Sequence, residues 1–120
     1  MELTPLEMAK KIAKVLDAKK AEELQVIGIG DITVLADYFV ICTANSTTQV
    51  KALADEVEFQ MTALGLEPHH TEGYRSSQWV LLDYSSVVVH IFVREAREFY
   101  KLERLWADGE KVDLQDIVTE

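Results

Sequence analysis

Residues 38–43, with the sequence YFVICT, constrain the fold of this chain more than any other segment. They form a continuous run of apolar or β-prone residues, which is typical of a strand buried on both faces at the centre of a sheet. A helix start follows, because Ser46 can cap a helix and Gln49 lies three residues later, completing a capping box. A strand followed by a helix, with more strands downstream, predicts an α+β (α/β layered) domain.

Helices are also predicted at both ends of this domain. Thr4 can act as a cap and Glu7 lies three residues later, which indicates a helix reaching about Lys19. A strand is expected over residues 24–29 and a final helix over residues 94–107. In a single straight helix, three apolar side chains of this last segment would share one side: Phe99, Leu102 and Trp106.

A hairpin is predicted over residues 78–93, because only two serines separate two apolar-rich strands there. Pairing about this turn divides the strands into two faces. One face is almost wholly apolar and belongs to the core: Val80, Leu82, Tyr84, Val87, Val89, Ile91 and Val93. The mixed face carries aromatic side chains beside an acid and a histidine: Trp79, Leu81, Asp83, Val88, His90 and Phe92. The mixed face lies either under a helix, with its polar groups satisfied, or on a contact surface.

The charge balance bears on the kind of partner. Twelve basic residues against 21 acidic residues give a net charge of −9. Nucleic-acid binding depends on Lys and Arg neutralising phosphates, so this balance favours a basic partner protein and predicts no direct nucleic-acid readout. The simpler interpretation is that the charge only keeps the protein soluble. The lysines of the first helix likewise form either a binding patch or, more simply, a solvated face: Lys10, Lys11 and Lys14.

Targeting signals and disulfides are not indicated. No run of 18 apolar residues is present, so no membrane-spanning helix is predicted. The N-terminal segment combines acidic residues with an amphipathic pattern and resembles neither a signal peptide nor a transit peptide. Cys42 is the only cysteine, which excludes an intrachain disulfide and suits a reducing compartment. These features predict a cytoplasmic protein.

Patterns that support catalysis or metal binding are mostly missing from the sequence. His69 and His70 are adjacent and would point to opposite faces of a strand, and no zinc-ligand spacing is present. The glycines at positions 28 and 30 lack the rest of a phosphate-binding or dinucleotide-binding pattern. Cys42 lies in the most apolar strand, where a thiol is usually inert. We therefore expect no enzyme activity, no cofactor and no metal.

Asp37 keeps a second interpretation open. Metal-dependent nucleotidyltransferases place two carboxylates one residue apart on a strand, but here Phe39 occupies the second position. A divergent nucleotidyltransferase-like nucleotide-binding protein would need a carboxylate cluster from distant residues such as Asp31, Asp37 and Asp83. The simpler role of Asp37 is a cap or turn before the strand. A third interpretation is a dimerisation module that uses the mixed face only for self-association.

Several short motifs, in their order and spacing, resemble the ribosomal silencing factor family, also called RsfS or Iojap. The match covers about residues 4 to 107 and rests on these pieces: residues 37–41, 49–50 and 72–73, Trp79, Asp83, residues 89–92, 97–100, 102–103 and 105–106. The resemblance implies a mixed sheet flanked by helices, related to the nucleotidyltransferase fold without its catalytic site. It also suggests one domain over residues 1–107 and an acidic C-terminal tail over residues 108–120.

The resemblance implies a function as well. Family members bind a large-subunit ribosomal protein, number fourteen, block joining of the small subunit and lower translation when nutrients are scarce. Free members often form homodimers. An acidic factor that docks on a basic ribosomal protein is electrostatically reasonable. The implied partner-binding residues, of which the first two are the strongest, are Trp79, Asp83, Tyr100, Glu103, Leu81, His90 and Arg97. In the structural alternative, Trp79 packs in the core and Tyr100 and Glu103 only stabilise their helix.

Overall fold

A computed structural model describes residues 3–114, except for the side chains of Glu103 and Leu105. A six-stranded mixed sheet carries helices on both faces, which confirms the predicted α+β class. In chain order the elements are α1 Pro5–Ala18, β1 Glu22–Gly28, β2 Tyr38–Ala44, α2 Thr47–Ala63, β3 His70–Glu72, β4 Trp79–Asp83, β5 Val87–Val93, α3 Arg94–Tyr100, α4 Leu102–Leu105 and β6 Glu110–Lys111. Within residues 3–114, no helix is both long enough and apolar enough to cross a membrane.

The strands lie in the order β3-β4-β5-β2-β1-β6. β2 pairs with β5 in parallel, and the other neighbouring strands are antiparallel. The predicted central strand is confirmed, because β2 lies between β5 and β1 and is buried from Phe39 to Ala44. A strand with neighbours on both edges and cores on both faces can be apolar throughout, which explains its sequence.

The two helix starts carry the predicted caps, with one difference. At α1, the Thr4 hydroxyl accepts a bond from the Glu7 amide at 3.1 Å, and the Glu7 carboxylate accepts one from the Thr4 amide at 2.9 Å. At α2, the Ser46 hydroxyl accepts from the Gln49 amide at 3.1 Å. The Gln49 side chain accepts from the amide of Asn45 instead of Ser46, so the second bond of this box is shifted by one residue.

Two apolar cores lie on opposite faces of the sheet, as the hairpin pattern predicts. α1 and α2 cover the larger core, which takes up the apolar face of the hairpin. α3 and α4 cover the smaller core, which contains Phe39, Ile41 and Phe92 together with the mixed face. The register of β4 and β5 confirms the division, because Trp79 lies opposite Phe92 and Leu81 lies opposite His90. The mixed face is therefore partly covered by a helix.

The segment predicted as one final helix is two helices. Lys101 adopts a left-handed conformation with φ +47°, and the chain breaks there into α3 and α4. The break allows Leu102 and Trp106 to pack against the smaller core, while Phe99 remains 80% exposed. A left-handed non-glycine residue costs about 1–2 kcal/mol, which this packing offsets.

The segment that follows α4 returns to the sheet. β6 pairs with β1 at Ile27 and Gly28, and the Val112 amide donates to the Val26 carbonyl at 2.9 Å. Val112 and Leu114 then pack against the larger core. The first part of the predicted acidic tail thus completes one edge of the sheet, whereas residues 115–120 lie outside the described part of the chain. The domain boundary at residue 107 stays a prediction.

Candidate partner-binding site

Three aromatic side chains, Trp79, Phe99 and Tyr100, form what we call the aromatic surface. The ring centroids of Trp79 and Tyr100 are 4.8 Å apart, and those of Phe99 and Tyr100 are 5.0 Å apart. Phe99 is 80% exposed and Tyr100 is 52% exposed. They border an open groove of about 440 Å³, whose lining also includes Gln78 and Glu95. Exposed aromatic side chains beside a groove are a composition that protein interfaces favour.

Trp79 is held from below by the sheet. Its indole Nε1 donates a hydrogen bond to Nδ1 of His90 at 3.1 Å. The indole also stacks on the buried ring of Phe92, with centroids 4.9 Å apart and planes 26° apart. Trp79 is therefore half-buried, with one part of its ring packed in the smaller core and another bordering the groove. A ring fixed in this way loses little conformational entropy when a partner binds.

His90 lies beneath Trp79 and not at the surface. It is 4% exposed, and its ring centroid is 4.7 Å from that of Phe39. Because Nδ1 accepts from the indole, the neutral ring carries its proton on Nε2, which is buried without a partner among residues 3–114. Burial lowers the pKa of His90 to about 3, so the ring is neutral at physiological pH. His90 can orient Trp79, but it offers little area for direct contact with a partner.

The buried His90 predicts a pH-dependent stability. Its pKa falls from 6.5 to about 3 on folding, so the unfolded chain binds more protons between these values. The full stability of the fold with a neutral, buried His90 is therefore present above pH 6.5, and it is lost as the pH falls toward 3. We expect the free energy of unfolding, measured by urea titration, to be about 2 kcal/mol lower at pH 5 than at pH 7.5 because of this group. His90→Gln should remove this loss, whereas His70→Gln at an exposed position should keep it. Equal pH profiles for wild type and His90→Gln would contradict the assignment.

Asp83 and Leu81 continue the mixed face along β4, away from the aromatic surface. One carboxylate oxygen of Asp83 accepts from the Ser85 amide at 2.8 Å and so supports the hairpin turn, where Ser85 has φ +71°. Asp83 is half-buried, and Leu81 is half-buried between Trp79 and Asp83 on the same face. From Trp79 to Asp83 the strand extends over about 13 Å. A protein partner of ordinary size can cover this distance.

Arg97 and Glu103 complete the set of residues predicted from the sequence. Arg97 is 3% exposed, and its guanidinium donates to the Glu23 carbonyl and the Thr43 hydroxyl, both at 2.9 Å. It fastens α3 to β1 and β2 and thereby positions Tyr100 at the end of that helix. The side chain of Glu103 lies outside the described residues. The structure thus brings Trp79, His90 and Tyr100 together and places Arg97 behind them.

Phe99 is a surface residue that sequence reasoning missed. The helical pattern assigned it to the same stripe as Leu102 and Trp106, which pack against the smaller core. The break at Lys101 changes the direction of the chain between α3 and α4. Phe99 on α3 therefore projects to solvent, whereas Leu102 and Trp106 do not. A lysine in the left-handed region has no recognisable sequence signal, since glycine or asparagine normally marks such a position.

The three carboxylates that a nucleotidyltransferase-like activity would need do not all line one groove: Asp31 and Asp37 share one, and Asp83 lies at the hairpin turn. Asp31 and Asp37 line an open groove of about 400 Å³ near Glu110. The carbonyl of Asp37 accepts from the amides of Ile29 and Gly30, at 2.8 and 3.2 Å, so this residue closes the loop before β2. In the part of the chain that the structure describes, no group of three or more His, Cys, Asp or Glu residues is suitably placed to hold a metal ion.

Comparison with known proteins identifies the family. The family model described as "Ribosomal silencing factor during starvation" (RsfS) matches residues 2–120. The chain belongs to the RsfS family. It is 37% identical to the ribosomal silencing factor RsfS of Halalkalibacterium halodurans, over 94% of this chain and 97% of that protein. It is 40% identical to RsfS of Bacillus subtilis, over 88% of this chain and 89% of that protein.

Relatives of this chain also include an organelle protein, and solved structures resemble this one. The chloroplastic protein Iojap of Zea mays is 30% identical over 91% of this chain and 47% of that protein. A crystal structure of a Chromobacterium violaceum protein superimposes with a TM-score of 0.85 at 31% identity, over 92% of each chain. A crystal structure from Bacillus halodurans gives a TM-score of 0.75 at 38% identity, over 91% of this chain and 96% of that one. The resemblance inferred from the sequence motifs is thus confirmed.

Proposed function

We propose that this RsfS family member binds the large ribosomal subunit through its aromatic surface and thereby blocks joining of the small subunit. The contact on the ribosome is a basic protein of the large subunit, number fourteen, as the family resemblance implies. The effect is a lower rate of translation, exerted in the cytoplasm. The proposal rests on family membership and on the composition of the aromatic surface.

The association of Trp79 with Tyr100 is the observation that carries the proposal. Tryptophan and tyrosine are among the residue types that most often dominate binding energy, especially where the partner covers them and excludes water. The stacking of Trp79 on Phe92 and its bond to His90 fix the anchor before binding. Leu81 and Asp83 extend the contact along β4, where Asp83 can face an Arg or Lys of the partner. Arg97 and His90 act by positioning, and Glu103 remains a candidate contact.

The mechanism requires occupancy and no chemical turnover. The bound domain fills space that the small subunit would otherwise occupy. The net charge of −9 opposes the positive charge of a basic ribosomal protein and raises the rate of encounter. In the free protein, the same aromatic surface is available to a second copy of the chain. A homodimer would then compete with ribosome binding.

The proposal is tested by sedimentation of the purified protein with bacterial large subunits, followed by addition of small subunits. Wild type should cosediment with large subunits and reduce the yield of joined ribosomes. Tyr100→Ala should weaken binding about tenfold, a typical loss for an aromatic contact, while the protein stays folded with a modestly lower urea midpoint, since half of the ring packs on Trp79. Phe59→Ala is the matched control, because Phe59 is 70% exposed on α2, across the sheet from the aromatic surface. Failure of wild type to bind large subunits at low and moderate salt would overturn the proposal.

A further inference from the structure

The first helix carries a concentration of positive charge that the proposed function leaves unused. α1 and the two residues after it, residues 5–20, contain five lysines against Glu7 and Asp17, a net charge of +3 in a chain whose total is −9. All five lysines are exposed, and we call them the α1 lysine surface: Lys10, Lys11, Lys14, Lys19 and Lys20. Nearly half of the twelve basic residues thus lie in one short segment.

The stability of the helix does not account for Lys10 and Lys14, which are four residues apart, a spacing at which like charges destabilise a helix. Lys19, the C-cap, and Lys20 lie at the C-terminal end of α1, where cations favour the helix dipole, so these two have a structural explanation. Lys19 pairs with Glu56 at 3.8 Å. The ammonium groups of Lys10, Lys11 and Lys14 form no ion pair with the carboxylates described between residues 3 and 114.

The α1 lysine surface and the aromatic surface lie on opposite sides of the sheet. α1 packs on the larger core, and Trp79 and α3 pack on the smaller one. A partner docked on Trp79 therefore leaves the lysines accessible. Lys11, Lys14 and Lys19 border an open groove of about 330 Å³ between α1 and α2, whose lining also includes Gln60 and the carboxylate of Glu56, the partner of Lys19.

We propose that the α1 lysine surface binds the phosphate backbone of RNA without reading its sequence. From Lys10 to the C-cap Lys19 the lysines extend along the helix for about 14 Å, which is enough to contact several successive phosphates. The choice of RNA rests on the proposed function, because a factor docked on a ribosomal protein is surrounded by ribosomal RNA. The contact would hold the domain at two points and increase its residence time by avidity.

The net negative charge does not prevent this contact. At physiological salt the Debye length is about 8 Å. The described part of the molecule measures 33 × 33 × 31 Å, so acids on the far side of the sheet are largely screened from α1. An anionic membrane fits less well, since α1 buries most of its apolar side chains in the core and leaves few to insert into lipid; the buried ones are Met8, Ala9, Ile12, Ala13, Val15 and Leu16.

The test is binding of a fluorescent single-stranded RNA of mixed sequence to the whole protein, followed by anisotropy at rising salt. With about four phosphates contacted, affinity should fall roughly 50-fold between 50 and 200 mM salt. Lys10→Gln, Lys11→Gln and Lys14→Gln together should lower the slope of log affinity against log salt by about 2. Glutamine has nearly the helix propensity of lysine, so the fold should be retained. The charge-matched control changes three exposed basic residues elsewhere to glutamine: Lys51, Arg75 and Lys111.

The proposal stands if the α1 variant loses RNA binding, the control variant keeps it, and both still cosediment with large subunits at low salt. It is overturned if wild type does not bind RNA at 50 mM salt, or if the two triple variants lose affinity equally. Tighter binding to vesicles containing phosphatidylserine than to RNA would also overturn it. RNA binding that persists while wild type ignores large subunits would contradict the proposed function alone.

Discussion

Trp79→Ala should weaken binding to large ribosomal subunits at least about 30-fold, the loss expected for a central aromatic anchor of about 2 kcal/mol or more. The substitution removes the ring that links Tyr100 to the sheet and empties one wall of the groove. It also leaves Nδ1 of His90 without its donor. Subunit joining should recover in parallel, because a domain that does not dock cannot obstruct the small subunit.

Stability must be separated from docking in this experiment. Trp79 is half-buried, so its truncation is expected to cost about 3 kcal/mol in unfolding free energy. Trp79→Phe keeps most of the stacking on Phe92 and should remain folded while it loses the bond to His90. A graded loss of docking, with wild type tightest and alanine weakest, identifies the anchor. Unchanged docking by folded Trp79→Ala would refute its role.

Arg97→Met should produce the largest loss of stability at any predicted site residue other than Trp79, about 2–3 kcal/mol. Methionine occupies similar space but cannot donate to the part-buried Glu23 carbonyl or to the hydroxyl of Thr43, which is fully buried. These acceptors would lose their partner, and α3 would lose its link to β1 and β2. Urea unfolding monitored by far-ultraviolet circular dichroism measures the change.

Arg94→Met on the same helix is the matched control for Arg97→Met. Arg94 is half exposed and forms ion pairs with Glu22 and, at 3.2 Å, with Glu23. Exposed ion pairs contribute about 0–1 kcal/mol, so its loss should be small. If both variants lost the same stability, burial of the Arg97 guanidinium would not be the cause.

The parts of the fold that could be predicted from the sequence depend on local interactions. The apolar segment before Ser46 and the two helix caps involve residues within a few positions of each other. The alternation in β4 and β5 likewise follows from strand geometry alone. It separates the mixed face from the apolar face within the hairpin alone. Trp79 and Asp83 lie on the same face of β4, as this alternation predicts.

The depth of the candidate site was not predictable in the same way. His90 and Trp79 lie on the same face of one hairpin, yet one is buried and the other borders a groove. The difference arises because Phe39 from β2 and Trp106 from the α4 segment close over this part of the sheet. Contacts between segments so distant in the chain leave no periodic signal in the sequence around either residue.

By itself, the sequence determined the element types, the two faces of the hairpin and, through its motifs, the family, because each depends on residues close in the chain or on their order. The tertiary structure alone decided which polar residues are buried, where the last helix breaks and how the aromatic surface forms. Lys101 takes its left-handed conformation because α4 then packs against the smaller core, and Phe99 is exposed as a result. An arginine on an amphipathic helix is ordinarily solvated, but Arg97 is buried because the Glu23 carbonyl of β1 and the Thr43 hydroxyl of β2 accept hydrogen bonds from its guanidinium.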